Sequence, residues 1–489
     1  MNAPAQPKLV AIALAAIFLT LAQGCTVGPR YHTPAPPTVS TYTPDPQPVA
    51  RNAGKADSAQ RFATSAAVSA VWWTRFGSPE LDVMVNRALR NSPTLTEATA
   101  RLRQAQQELA ARTGTTKYPS VSGTASVEEL QPNLSAYGIP FPNPSPFTLL
   151  NGSVAVSYAL DIFGGNRRMI ESLRADRDYQ QWQLEGARLM LVGNVVSAAI
   201  RLAQLEEQFR ITEQILEIQQ QQLAITAQRQ GAGGASEFDL HGQRTSVAQV
   251  RATLSPLRQQ IDATRDQLAA LMGDPPSEAH IEDIKLAQLR LPAELPLTLP
   301  STLVRQRPDI CAAESLLHQA SANVGVATAN LYPQITLSGT GGGIGTSFLS
   351  GGDLWNVGGS LTQPLFNAGA LHAEKRKAIA AYDEADAAYR QTVLDAFRQV
   401  ADSLYAIQHD REMFESRTVA ADNAQASYRI AAARYQDGGI SELALLDARL
   451  QQLQTSLDRT SASASRLFDS ATLFQALGGG WWNQTGISK

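Results

Sequence analysis

Cysteine is almost missing from this chain: its 489 residues include only Cys25 and Cys311, so no disulfide framework can staple it. Charge is thin as well. Charged residues make up 17% and the net charge is -3, which offers no basic surface to nucleic acid and excludes it as a partner. The six histidines, at 32, 241, 280, 318, 372 and 409, show neither HExxH nor any paired metal spacing, and no GxSxG elbow occurs. A catalytic or metal constellation is therefore not expected. Past the leader, no stretch of 18 consecutive apolar residues occurs. A membrane, if spanned, must be spanned by strands.

What is present begins with a leader. Lys8 precedes an apolar run from Leu9 to Leu21, about 13 residues, too short for a bilayer and right for a secretion signal. It ends Leu21-Ala22-Gln23-Gly24-Cys25. Small residues leading into a cysteine resemble a bacterial lipoprotein signal, with residues 1–24 removed and Cys25 acylated; a plain secretory signal with an incidental cysteine is the alternative. Residues 25–78 then read as the lipid anchor and an extended segment. Cys311 reads as a packed thiol in a helix.

The chain repeats itself. Tyr118-Pro119-Ser120-Val121 recurs as Tyr332-Pro333-Gln334-Ile335, and Asp161-Ile162-Phe163-Gly164-Gly165 has a looser echo in Pro364-Leu365-Phe366-Asn367-Ala368-Gly369. Gly233-Gly234-Ala235-Ser236-Glu237 recurs as Gly438-Gly439-Ile440-Ser441-Glu442, and Leu271-Met272-Gly273 near Ala476-Leu477-Gly478. The echoes keep their order, which divides the chain into repeat 79–276, a proline-rich connector 277–300, repeat 301–480 and a tail 481–489. Each repeat reads as helix, strand pair, very long helix, tight turn, helix. The first helix runs from about Pro79 to Lys117 with a restart at Ser92-Pro93; its counterpart starts near Ser301 and is interrupted at Pro308. The long helices, about Asn166 to Gln230 and Leu371 to Gln436, would each reach roughly 100 Å.

Their apolar phases indicate neighbours. Val400, Ile407, Phe414, Ala421, Tyr428 and Tyr435 recur every seven residues, with Phe397 and Leu404 between them. In the first repeat Leu202, Leu205, Phe209, Leu216 and Leu223 form one seam, and Ile211, Ile215, Ile218 and Ile225 another. Phe209 and Ile211 point about 200° apart around the helix. A helix with two opposed seams has a neighbour on each side, as in the wall of a tube; a large helical bundle is the alternative.

Between the helices the period falls to two. Val121, Gly123, Ala125 and Val127 alternate with serines and threonine, and Val154, Val156, Tyr158 and Leu160 alternate with Ser153, Ala155, Ser157 and Ala159. Ile335, Leu337 and Gly339 begin a third strand; Val357, Gly359 and Leu361 mark a fourth. Loops are expected at Gln131 to Pro146 and Gly345 to Asp353. The glycine run Gly339 to Gly345 lacks a surrounding βαβ unit and reads as a strand end near a barrel rim. Four strands leave two open edges, which lipid does not tolerate. Edges shared between two copies give 8 strands and a filled interior; three copies give 12 and room for a lumen. The expected fold is thus mainly α with transmembrane β: a trimeric 12-stranded β-barrel continued by a 12-column α-helical barrel.

The residues also carry a family resemblance. Cys25-Thr26-Val27-Gly28-Pro29-Arg30-Tyr31-His32-Thr33-Pro34 resembles the lipidated start of outer membrane efflux proteins of the TolC-like, NodT type. Leu299-Pro300-Ser301, then Arg307-Pro308-Asp309-Ile310 and Ala313-Glu314, match that family's most distinctive internal stretch. Tyr332-Pro333, Leu445-Leu446-Asp447-Ala448 and Ala476-Leu477-Gly478-Gly479-Gly480-Trp481 follow in the family's order. The resemblance implies a homotrimeric exit duct for small molecules in the outer membrane. Its partners would be a periplasmic adaptor protein and an inner-membrane pump of the RND type. No cofactor is implied beyond the N-acyl and diacylglycerol lipid on Cys25. A type I protein secretion duct would share this architecture; a non-conducting periplasmic coiled-coil lipoprotein scaffold would have the helices without the strands.

Any gate belongs at the tight turns. Gly233-Gly234 and Gly438-Gly439 can adopt positive φ past a helix end, and Ser236 and Ser441 can cap the next helix. Leu443 and Asp447 match family positions lining a periplasmic constriction, where three Leu443 would form an apolar plug and three Asp447 would repel anions. Arg434, Tyr435 and Asp239 are candidate polar latches between neighbouring turns. The exposed backbone of Gly233, Gly234, Gly438 and Gly439 is the candidate adaptor-docking tip.

Overall fold

The computed structural model describes residues 26–44, 60–63, 68–138, 140–347 and 351–483. Cys25 and the leader lie outside the described residues. In chain order the main elements are α1 (Pro79–Asn91), α2 (Pro93–Lys117), β1 (Ser120–Leu130), β2 (Phe147–Leu160), α3 (Gly165–Gly231), α4 (Glu237–Met272), α5 (Pro308–Ala329), β3 (Gln334–Gly345), β4 (Gly351–Thr362), α6 (Ala370–Gln436) and α7 (Glu442–Ala476). Prolines open α1, α2 and α5, where a missing N–H costs nothing. Both long helices have 67 residues. The chain forms two compact units, one from Met1–Pro34, Arg101–Gln181 and Ala312–Arg390, the other from Ala35–Ala100, Trp182–Cys311 and Gln391–Lys489.

The first unit is built on one antiparallel sheet in the order β1-β2-β3-β4. Its register sorts the side chains cleanly. Val121 faces Val156, Tyr158 faces Leu337, and Leu337 faces Gly359; this row continues the apolar positions on one face. Ser122 faces Ala155, Ser157 faces Ser338, and Thr336 faces Ser360 on the other. Every residue of β4 is exposed, and Val121, Val127, Val154 and Leu361 lie open on the apolar face. A soluble sheet buries such a face against its own chain; this one does not.

The glycine run forms the second half of β3, which ends at Gly345. Gly339, Gly341, Gly342 and Gly343 lie inside β3, each paired on both sides, and β4 begins at Gly351, which shortens the expected loop. The reason is close approach: a Cβ on Gly342 would lie 2.7 Å from the Ser153 Cα, so only glycine lets these strands meet here.

Residues 26–31 are pinned to this unit. Val27 N–H donates to the Phe163 carbonyl at 3.1 Å. Tyr31 stacks on His318 with centroids 4.1 Å apart and donates to Glu314 at 3.3 Å. Burial, then the Glu314 charge, push the Tyr31 phenol upward. Asp161 accepts from the backbone N–H of Asn166 (3.0 Å) and Arg167 (2.9 Å) and so caps the start of α3.

In the second unit the side chains set the helix order α4-α3-α7-α6. Arg258 of α4 lies over the Phe209 ring at 5.0 Å, while Ile211 and Ile215 on the opposed seam pack with Leu453 of α7. Arg466 and Arg449 of α7 cover Phe414 (4.6 Å) and Tyr428 (4.9 Å) on the α6 seam. Val400, Leu404, Ile407 and Ala421 of that seam are buried, whereas Tyr435 at its end is exposed. One stretch of α3 has the length and composition of a membrane span, with mean hydropathy 1.3. Its Val195, Val196, Ala199 and Ile200 are fully buried, so packing in this core accounts for the apolarity.

Trp72, Phe76, Leu81 and Met84 are also fully buried, with Trp72 stacked on Phe474 at 5.4 Å. A three-residue parallel ladder joins Arg61–Ala63 to Glu294–Pro296. Arg307 supplies the strongest polar tie. It donates to both Asp309 oxygens (3.0 and 2.7 Å), to Gln399 Oε1 (2.9 Å) and to the Ala476 carbonyl (2.8 Å) that ends α7. The Arg307-Pro308-Asp309 motif thus joins the start of α5 and the end of α7 to the middle of α6. Cys311 is buried, as its helical setting suggested.

Candidate functional site: the paired helical turns

The turn from α3 to α4 and the turn from α6 to α7 have one geometry. Gly233 and Gly438 sit at φ 79° and 73°. Gly233 N–H reaches the Gln230 carbonyl (3.0 Å) and Gly234 N–H the Arg229 carbonyl (2.7 Å). In the second turn Gly438 N–H reaches Tyr435 (3.0 Å) and Gly439 N–H reaches Arg434 (2.7 Å). These paired bonds satisfy the last carbonyls of each long helix, a Schellman motif that demands positive φ at its first glycine. A Cβ on Gly233 or Gly438 would meet open space; the conformation, not crowding, selects glycine there.

The caps that follow differ. Ser236 and Asp239 form a reciprocal capping box, with the Asp239 carboxylate accepting from the Ser236 hydroxyl (2.7 Å) and backbone N–H (3.0 Å). Those bonds hold the Asp239 carboxyl below the usual range. Ser441 caps α7 alone, accepting from Ala444 N–H at 3.3 Å. The Arg434 and Tyr435 side chains are exposed beside these turns. Leu443 is half-buried in the first turn of α7; Asp447, one helical turn on, is exposed.

Asp447 is not alone. Its Oδ1 accepts from Gln222 Nε2 of α3 at 2.6 Å. Gln243 of α4 donates to Gln219 Oε1 (2.6 Å) and to Gln222 Oε1 (3.3 Å). Gln219 and Gln222 are buried. A carboxylate only accepts, so Gln222 must turn its NH2 toward Asp447 and keep its carbonyl for Gln243. A one-way chain of amides therefore crosses α4, α3 and α7 and ends on the candidate gate carboxylate. Sequence reasoning missed these glutamines, because nothing in a Gln-rich helix marks which amides meet. Among the described residues no group of three His, Cys, Asp or Glu is placed to hold a metal.

The model of the outer membrane efflux protein family matches this chain twice, over residues 84–274 and 299–479. The chain belongs to the outer membrane efflux protein family. The pyoverdine export outer membrane protein OpmQ of Pseudomonas putida is 32% identical over 419 residues, covering 84% of this chain and 88% of that protein. The toluene efflux pump outer membrane protein TtgC of Pseudomonas putida is 29% identical over 488 residues, covering 98% and 97%. Among solved structures, the outer-membrane channel OprN superimposes with TM-score 0.81 at 28% identity, over 94% of this chain and 100% of that one. The protein is accordingly an outer-membrane efflux component of the TolC-like fold, in a family of channels rather than enzymes. By name these two relatives serve pyoverdine export and toluene efflux.

Proposed function

We propose that three copies of this efflux protein close into one duct, a 12-stranded β-barrel in the outer membrane continued by 12 helical columns, each copy being an internal duplication. The observation that carries this reading is the two-faced sheet with unpaired β1 and β4 edges, which lipid would leave unsatisfied. The two family matches within one chain support the duplication and the division at the connector 277–300. The duct passively conducts small toxic organic molecules that an inner-membrane RND-type pump and a periplasmic adaptor deliver.

The helical turns are its periplasmic end. Leu443 and Asp447 line the constriction, Arg434, Tyr435 and Asp239 tie neighbouring turns, and Gly233, Gly234, Gly438 and Gly439 receive the adaptor. Cys25, freed of residues 1–24, carries the N-acyl and diacylglycerol lipid in the inner leaflet.

Single-channel recording in planar bilayers tests the gate: Leu443→Ala with Asp447→Ala should raise conductance, and unchanged conductance removes both residues from it. Cys25→Ser should abolish labelling by radioactive palmitate; persistent labelling refutes the anchor.

A further inference from the structure

Two aromatic rings stack at the interior junction of the sheet, whereas large side chains beside its two open edges stand exposed. Phe163, between β2 and α3, stacks on Tyr332, just ahead of β3, with centroids 4.7 Å apart and planes at 18°. The matching junction between β4 and α6 carries Leu365 and Phe366, and the matching position ahead of β1 is Tyr118. Phe366 is 90% exposed, Leu365 94% and Tyr118 65%. They sit beside the two open edges of the same sheet.

The ladders say how those edges correspond. β1 pairs with β2 as Ser120 opposite Ser157, and β3 pairs with β4 as Gln334 opposite Thr362. If Tyr118-Pro119 is the counterpart of Tyr332-Pro333, Ser120 corresponds to Gln334, and Ser157 therefore corresponds to Thr362. The same step carries Gly164 onto Gly369 and Gly165 onto Ala370. That step has independent support: Gly164 and Gly369 sit at φ 79° and 80°, each directly ahead of the first residue of its long helix.

The third ladder then transfers. β2 pairs with β3 as Leu160 opposite Ile335. Leu160 corresponds to Leu365 and Ile335 to Val121. We infer that β4 of one copy pairs antiparallel with β1 of a second copy in one register, Leu365 opposite Val121 and Leu361 opposite Ala125, with Phe366 of the first copy packed against Tyr118 of the second. This deepens the edge-sharing reading above and rests on it. The register sets Leu361 opposite Ala125 and Leu365 opposite Val121, where a slip of one residue would oppose Leu361 to Thr124 or Ser126. Just past the ends of β4 and β1, Phe366 and Tyr118 then lie diagonally across the boundary, a spacing that aromatic side chains span. In this correspondence Phe163 falls on Ala368, so the Phe366–Tyr118 pair belongs to the subunit boundary alone and is not a copy of the Phe163–Tyr332 stack.

Cysteine cross-linking of the full-length protein, in a Cys311→Ala background, tests the register. Within one chain β1 and β4 are three strands apart, about 14 Å, beyond any disulfide. Ala125→Cys with Leu361→Cys should therefore oxidise only between copies, giving covalent oligomers on reducing-agent-free gels. The slipped pairs, Ala125→Cys with Gly359→Cys and Val127→Cys with Leu361→Cys, should give several-fold less. Efficient bonding of a slipped pair in place of the first overturns the register and leaves edge-sharing standing. Failure of all three pairs in a detergent-stable oligomer overturns edge-sharing itself. Phe366→Ala and Tyr118→Ala should each lower the temperature at which the oligomer dissociates, and the double variant should lose no more than the larger single one. Additive losses overturn the aromatic contact.

Discussion

Replacing Arg307 with Met should loosen the end of α7 while leaving the strands untouched. Methionine keeps the apolar stem and removes the guanidinium, which is 7% exposed. Four hydrogen bonds disappear. The half-exposed Asp309 regains water, so its loss is small. Exposed Gln399 likewise regains water, but the buried Ala476 carbonyl is left without its donor, at about 1 kcal/mol or more. Removing a cation from a helix C-terminus adds roughly 0.5–1 kcal/mol. The sum is about 2 kcal/mol, equivalent to roughly a thirtyfold increase in local opening. Hydrogen–deuterium exchange of the detergent-solubilised protein measures it directly. Peptides covering residues 470–477 should exchange about thirtyfold faster, with β2 and β3 peptides unchanged. Arg307→Lys, which keeps the charge but not the planar fork, should fall between. Unchanged exchange at 470–477, or equal acceleration everywhere, would refute the assignment of Arg307 as the tie between α6 and α7.

Three further outcomes follow from specific contacts. Desolvation pushes the Asp469 carboxyl up to about 7, and its hydrogen bond to Asp410 adds to the rise. The folded protein thus holds a proton that the unfolded chain releases near pH 4, so this pair favours folding at acidic pH and loses its contribution as pH climbs from about 4 to 7. With partial exposure the effect is on the order of 1–2 kcal/mol; exchange protection along the Asp410–Asp469 region should fall between pH 5.5 and 8 in the native protein and stay flat in Asp469→Asn, and a pH-dependent Asn variant would sink the idea. Gln222→Met frees the Asp447 carboxylate, so single-channel conductance should rise, and adding Asp447→Ala should bring no further change; additive effects would show that the two act separately. Gly28 sits at φ 93°, and a Cβ there would lie 2.5 Å from the Gly325 Cα. Gly28→Ala should expose residues 26–34 to added protease at low concentration, and native-like resistance would refute the close approach.

Much of this protein is visible in local pattern. The prolines at 79, 93 and 308 mark the helix starts, the two Gly-Gly turns mark where the long helices end, and alternation marks all four strands. Strand ends were less legible: the fourth strand begins at Gly351, inside the loop expected from Gly345 to Asp353, because glycine signals a loop wherever its need for close approach is hidden in another strand. The opposed seams of α3 foretold two neighbours, yet not which helices they are. The amide chain from Gln243 through Gln222 to Asp447 was invisible: its members are far apart in sequence, and a buried glutamine looks like a solvated one.

By itself the sequence determined the repeat, the element order and the amphipathic faces, since periodicity and turn chemistry act between residues a few positions apart. Only the tertiary structure decided the order α4-α3-α7-α6, the strand register and the partners of Arg307 and Asp447. Those depend on which of several chemically similar surfaces meet, and that choice is settled by packing the whole chain at once.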